Sequence, residues 1–435
     1  MSISNSMPRR RGDWMDEIDR KIMPFVEYPG YDYRYPADDI CLLTEAQAEE
    51  IRQASKILFQ VFAKAVAVCQ ECGDDFLRDL EIPEPLLPYL RQENPLHQPS
   101  WLSRFDYVLD RAGRLKMVEI NADTPCAVIE AYYANDIACR HFGRLNPNEG
   151  KYEELAEWLG QIYWASSPEV NLATGKFAQD RPFVFSCFED YVEDYGTTLF
   201  LLKAMKKGAG SMAGDRSICF ESFYQLGVDE EGGLVLPDGR RAKGIYRLHP
   251  MEILIDEETP EGEPLGQMFM EGYTKGNFTM FNPPEAIIMQ SKGFQALLWA
   301  LAQEKRELFT AEELAAVECY MLPSFFERPQ EQGRWIRKPL WGREGLDITV
   351  EDGAGNLLLA KEVNPEDVVR RESEKCMYQR FVDQPETEVK TDEGLLTGYR
   401  TLSCFMHGEK PGALYARFSP EQIAGTEAYW LPLGL

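Results

Sequence analysis

Between Arg104 and Asn121 the chain doubles back on itself, and the pattern of that hairpin restricts fold and chemistry more than any other segment. Asp110-Arg111-Ala112-Gly113 reads as the turn, with Asp bonding local backbone and Gly accepting a positive φ. Counting outward pairs Leu109 with Lys116, Asp106 with Glu119, and Arg104 with Asn121. Side chains alternate along a strand, so Arg104, Asp106, Glu119 and Asn121 point to one face. Two carboxylates directly opposite each other repel, so this pairing calls for a cation between them. Oxygen donors from Asp, Glu and Asn suit a hard divalent ion such as Mg²⁺, which bound in this way also holds a nucleotide's phosphates. An adjacent arginine suits a substrate anion. The alternative is a solvent-facing hairpin whose outer side carries charge.

At 435 residues the chain exceeds one ordinary core, and two or three packed subdomains are expected. Apolar content of 44% with 27% charged residues is that of a globular protein and excludes general disorder. A formal net charge of -26 repels phosphate backbones, which argues against a nucleic-acid partner. The same charge would draw a cationic small molecule such as a polyamine, although acidity also serves plain solubility. No apolar run approaches the roughly 20 residues that span a bilayer. Arg9-Arg10-Arg11 is followed by Gly12-Asp13-Trp14-Met15 and not by an apolar stretch, so neither a membrane span nor an export signal is expected.

Ten scattered cysteines favour reduced thiols and a cytoplasmic setting. Cys69 and Cys72 form a C-x-x-C with no second pair, which reads as a packed helix end. His97, His141, His249 and His407 have no ligand spacing, and a Walker A motif is absent. If ATP is used, a P-loop does not hold it.

The first 38 or so residues read as an irregular, wrapping arm. Apolar spacing predicts a helix from Thr44 to Gln70, and the run after the hairpin caps another from about Ala127 to Arg140. Lys151 to Ser166 and Gly196 to Lys206 also read as helices, separated by a buried strand over Arg181 to Phe188. A β-rich zone follows from about Ser217 to Tyr246, then helices at Phe294 to Gln303 and Ala311 to Cys319. Strands resume at Trp335 to Lys338, Ile348 to Glu351, Asn356 to Val363 and Met377 to Val382. This alternation makes the chain α/β or α+β.

A second constellation is Lys338-Pro339-Leu340-Trp341-Gly342-Arg343-Glu344-Gly345. It places a strand-end lysine before a loop bounded by glycines that can bend over phosphates. Taken in order, Arg104-Phe105-Asp106, Glu119-Ile120-Asn121-Ala122-Asp123-Thr124-Pro125, the Lys338 to Gly345 run, Met377-Tyr378-Gln379 and Tyr415-Ala416-Arg417-Phe418 resemble the synthetase domain of the glutathionylspermidine synthases. That is a permuted ATP-grasp family, and the likeness runs from about residue 40 to the end. Relatives that carry an amidase domain have it before the synthetase; here too few residues precede Asp38 for one, so a stand-alone synthetase is expected.

The resemblance implies an ATP-grasp fold with a pre-ATP-grasp-like substrate region and a β-rich lid. It implies segments at 1–40 (arm), 41–285 (metal- and substrate-binding core), 286–385 (lid and nucleotide-binding subdomain) and 386–435 (return to the core). It also implies a ligase that activates a carboxylic acid or peptide with ATP as an acyl phosphate, then joins it to an amine such as a polyamine. A small-molecule kinase and a silent ATP-binding protein are the alternatives on the same fold.

Carried over residue by residue, Asp106, Glu119 and Asn121 match Mg²⁺ ligands, and Arg104 matches an arginine touching nucleotide and acid. Lys292 and Lys338 match nucleotide-binding lysines, and Gly342, Arg343, Glu344 and Gly345 match the phosphate loop. Cys376, Met377, Tyr378 and Gln379 match the strand that meets adenine, and Arg417 matches an arginine that stabilises the transition state. Thr124 and Cys126 fall at the acid-binding end, and Glu193 and Asp194 match an acidic pair facing the amine.

Overall fold

The computed structural model describes residues 13–27, 33–166, 181–259, 261–342, 345, 347–360, 375–425 and 427–435. The polar hairpin, strands Leu102–Leu109 and Leu115–Asn121, forms one side of a six-stranded antiparallel sheet. Strand Gly394–His407 pairs with Leu102–Leu109, then Lys410–Ser419 and Tyr429–Trp430 follow, while Thr387–Thr391 pairs back onto Gly394–His407. Asp106 opposes Glu119 and Arg104 opposes Asn121, as counted from the sequence. Nearer the turn the count is one residue out, because Lys116 pairs with Val108 and not with Leu109. The count leaves six residues between Leu109 and Lys116, whereas five, Asp110 to Arg114, separate Leu109 from its partner Leu115, with Asp110 N–H bonding the Arg114 carbonyl at 3.0 Å. A bulge beside Asp106 restores the register, so the two deviations cancel where the charged side chains lie. Gly113 takes φ 77° at the turn, as expected of it.

Alternation sends Phe105 and Tyr107 to the opposite face of this sheet, against helix Glu45–Glu71. That helix starts at a capping box, Thr44 with Gln47, and buries Ile51, Ala54, Leu58, Phe62 and Ala65 at helical spacing. Phe62 meets Phe105 edge-on at 5.4 Å and Phe294 at 5.5 Å, tying helix Gly293–Glu304 to the same core. The C-x-x-C closes this helix without a disulfide; Cys69 is buried, and Cys72 N–H bonds the Val68 carbonyl. The arm is packed in where it is described, with Trp14, Met15, Met23 and Phe25 buried in a second core.

A four-stranded parallel sheet, in the order Ile218–Phe220, Phe183–Ser186, Gly244–Arg247, Thr279–Phe281, lies between the two cores, Phe183, Phe185, Tyr246 and Phe281 entering the second and Val184, Ile245 and Met280 the first. The apolar run read as a buried strand is its second member, buried throughout. The β-rich zone resolves into two of these strands and a small ribbon, Gly227–Val228 with Leu234–Val235. The helix expected over 127–140 runs from Val128 to Phe142, directly after Ala127 at φ 71°, and it contains a π-helical turn, Glu130–Ala134, that leads into α-helix Asn135–Phe142. Helices Lys151–Ala165 and Val192–Ala209 cross where Gly160 meets Gly208, and a Cβ on Gly208 would lie 1.7 Å from the Ala156 carbonyl oxygen.

A third, five-stranded antiparallel sheet runs Ser324–Phe325, Cys376–Arg380, Arg334–Pro339, Thr349–Asp352, Leu357–Ala360. It carries Lys338 and forms the lid. The architecture is α/β and ATP-grasp-like. All ten cysteines are unpaired. Among the described residues no helix is long and apolar enough to cross a membrane.

The first and second sheets are joined by a buried ion pair. Asp123, two residues beyond the hairpin, accepts from Arg247 at 2.5 and 3.1 Å and from Met251 N–H at 2.9 Å, and both charged side chains are fully buried. Asn282 braces the same place by donating to the Leu102 and Asp123 carbonyls and accepting from Trp101 and Leu102 N–H groups. Asp123→Ala strands the guanidinium without its counter-charge, and urea unfolding should record a loss of about 3–5 kcal/mol. A loss below about 1 kcal/mol would show that the junction does not depend on the pair.

Candidate active site

The hairpin's charged face is organised first by an ion pair within one strand. Arg104 and Asp106, two residues apart, meet through Nε at 2.7 Å and through a second nitrogen at 3.0 Å. The remaining Arg104 nitrogen donates to the Cys126 carbonyl at 2.8 Å, and the guanidinium lies over the Tyr415 ring. Burial pushes Asp106 up, but Arg104 beside it prevails and holds its carboxyl below the usual range. Asn121 Nδ2 donates to the same carboxylate at 3.3 Å, and Arg417 stands 3.7 Å from it. The cation required opposite Glu119 is therefore supplied in part by arginine, a neutralisation that the hairpin pattern alone had assigned to a metal.

Glu119 and Asn121 face a cleft of about 530 Å³. Arg104, Thr124, Cys126, Glu193, Asp194, Lys292, Gly342 and Arg417 also line it. The sequence-derived metal, acid, amine and phosphate residues thus converge on one cavity. Lys292 and Arg417 supply positive charge, while Glu193 and Asp194 occupy the first turn of helix Val192–Ala209. Lys292 Nζ donates to the Gly342 carbonyl, so the lid loop rests on a lysine of the core. The Nε of Arg417 is buried with no hydrogen-bond partner, an orphaned donor at the rim of an anion-suited site.

A smaller cavity of about 100 Å³ adjoins through Glu119 and is lined by Lys338, Gly345, Ile348, Gln379 and Ile423. Lys338 is buried and donates to the Val118 carbonyl at 2.9 Å and to Gln379 Oε1 at 2.8 Å. Burial pushes its ammonium down to about 8, with Glu119 acting against that shift. Cys376, Met377 and Tyr378 line neither cavity. Met377 packs with Ala296 and Leu340 beneath the lid, because alternate residues of this strand face the core. Arg343 and Glu344 lie outside the described residues.

Among the described residues no three His, Cys, Asp or Glu side chains converge, so a cation here would draw on other oxygen donors as well. The donors do fit a hard divalent ion. Glu119 presents a carboxylate, and Asn121 uses Nδ2 toward Asp106, which leaves Oδ1 as an acceptor. Asp106 would share its oxygens with Arg104.

Sequence reasoning missed several groups. Gln290 lines the cleft and accepts from the Ala122 and Asp123 N–H groups at 2.8 and 3.2 Å, fixing the turn that carries Thr124. Asp190 and Tyr191 also line it, and the acidic run around Glu193 was the available signal. Glu130 is buried beneath, donated to by Tyr35 at 2.9 Å, which in turn meets Tyr415 at 3.1 Å. Its Oε2 has no partner.

The pattern of the whole chain agrees with this geometry. A family model described as glutathionylspermidine synthase preATP-grasp matches residues 5–435, and the chain belongs to that family. It is 22% identical over 343 residues to a putative acid–amine ligase of Haemophilus influenzae, covering 77% of this chain and 74% of the relative. It is 23% identical over 307 residues to trypanothione synthetase of Crithidia fasciculata, covering 65% of this chain and 41% of that longer protein.

Burial, then the Glu193 charge, raises the Glu130 carboxyl to about 8. A raised carboxyl favours the fold fully below its unfolded value near 4.5 and loses that contribution as pH climbs through about 8. Glu130→Gln should therefore flatten the fall in stability between about pH 5 and 9, by roughly 2–4 kcal/mol relative to the parent in paired denaturant titrations. Parallel curves for the two proteins would show that Glu130 does not titrate in this range.

Proposed function

We propose that this protein is an ATP-dependent acid–amine ligase that forms an amide through an acyl phosphate. The observation that carries the reading is one cleft lined by two cations, Lys292 and Arg417, an acidic pair, Glu193 and Asp194, and the oxygen donors of Glu119 and Asn121. The cations suit transferred phosphate, and the acidic pair suits an amine. The names of two relatives, an acid–amine ligase and a trypanothione synthetase, support the same reaction class.

In this reading ATP lies under the lid, its base in the cavity beside Gln379 and its phosphates toward Lys338, Lys292 and the loop from Gly342 to Gly345. Glu119 and Asn121, with Asp106 behind them, would hold Mg²⁺, whose contribution is to offset phosphate charge. A carboxylate oxygen of the acid attacks the γ-phosphorus, the bond to the bridging oxygen breaks, and ADP leaves. Thr124 and the Cys126 backbone border the acid, and Arg104 positions that backbone through its bond to the Cys126 carbonyl. The amine, recruited by Glu193 and Asp194, attacks the acyl carbon, and the C–O bond to phosphate breaks. Arg417 is aimed to stabilise the oxyanion formed on the way, its unpaired Nε being the available donor. Closure of the lid shields the acyl phosphate from water.

Three measurements test this. Glu119→Ala should abolish Mg²⁺-dependent ADP release while thermal unfolding stays close to the parent's. Unchanged release would remove Glu119 from the metal site. Arg417→Ala should lower kcat by about 10²–10³. Hydroxylamine in place of the amine should trap a hydroxamate, and accumulation of a stable phosphorylated acid instead would make the protein a kinase.

A further inference from the structure

Beside the active cleft lies a second cavity of about 470 Å³ with a different chemistry. Its walls are Phe188, Phe223, Tyr224, His249, Met268 and Phe269. The rings are ordered, with Phe188 to Tyr224 at 5.0 Å, Phe188 to His249 at 4.9 Å edge-on, and Phe188 to Phe223 at 5.4 Å. Glu257, Glu258 and Glu263 stand around it, and among the described residues no lysine or arginine lines it.

Its position follows from topology. The parallel sheet has its first strand, Phe183–Ser186, beside its third, Gly244–Arg247, and the second lies on the outer side of the first. Connections therefore leave these two strands in opposite directions, and ligands of such sheets bind outside the carboxyl ends at that divergence. Phe188 follows the first strand and His249 follows the third. The adjoining cleft is reached across one contact, since Tyr224 of this cavity donates to Asp190 of the cleft at 3.2 Å.

We infer that this cavity is the amine-selectivity pocket, and that it takes an amine with an uninterrupted hydrocarbon or aromatic body, the reacting nitrogen passing the Tyr224–Asp190 neck into the cleft. This rests on the ligase reading for the word amine. The acidic surround disfavours carboxylates and phosphates, which assigns the pocket to the cationic substrate and not to the acid or ATP. Aromatic faces and aliphatic side chains hold a hydrocarbon body by burial. A linear polyamine with a charged nitrogen midway would have to desolvate that charge between Phe188, Phe269 and Met268, because Glu258 and Glu263 are exposed and Glu257 is engaged by His249.

Two amines of matched length separate these cases: 1,8-diaminooctane, a diamine, and spermidine, a triamine with a secondary nitrogen within a chain of the same atom count. By calorimetry on the full chain, 1,8-diaminooctane should bind at least about tenfold more tightly than spermidine. Met268→Trp, placed on the partly exposed face of helix Leu265–Thr274, fills the pocket and should remove that preference while leaving ATP binding unchanged. Equal affinity for the two amines, or a preference that survives Met268→Trp, overturns the inference. ADP release should follow the same order of amines when an accepted acid is present. Discriminating binding without amine-dependent ADP release would keep the pocket and sink the ligase reading. Amine-dependent release that ignores both chain type and Met268→Trp would do the reverse.

Discussion

A carboxylate and a guanidinium, both withdrawn from water, join the two halves of this protein. Asp123 leaves the antiparallel sheet just after the hairpin, and Arg247 ends a strand of the parallel sheet. Neither charge is tolerable there without the other. Their union sets the loop bearing Thr124 and Cys126 against the loops that follow the parallel strands. The cleft lined by Thr124, Cys126, Asp190 and Glu193 draws on both sets of loops, so its walls are held together before any substrate enters.

The same logic of paired charge orders the hairpin face. Arg104 neutralises Asp106 within its own strand, and this leaves Glu119 and Asn121 as the donors that look into the cleft. Arg417 remains with one nitrogen unspent. The groups that serve structure and those that remain for chemistry are thus separated by hydrogen-bond saturation, and neighbours in one strand fall on different sides of that line.

Much of this was legible in the residues. Period-2 alternation and a Gly-bearing turn located the charged face, and helical spacing after a capping residue located Glu45–Glu71. The outer register survived because the loop is one residue shorter than the count and the bulge adds one back, a cancellation that no local pattern announces. The role of Asp123 was not legible, because its partner lies 124 positions away in a strand that reads only as apolar. Cys376, Met377 and Tyr378 were taken with Gln379 as one unit, yet strand alternation and packing beneath the lid leave Gln379 alone at the cavity. The aromatic cavity was invisible for a related reason, since Phe188, Phe223, Tyr224 and His249 come from separate loops that only the strand order gathers.

The contact between Gly160 and Gly208 has a reach beyond its own neighbourhood. Helix Val192–Ala209 acts as a rod with that crossing near one tip and Glu193 and Asp194 at the other, about 20 Å away at the usual rise per residue. A side chain wedged between the backbones would tilt the rod, and a tilt of about 10° swings the far tip by roughly 4 Å. Two residues without side chains thereby fix, from a distance, where Glu193 and Asp194 stand in the wall of the cleft, so alanine at the crossing would disturb that wall as well as the local packing.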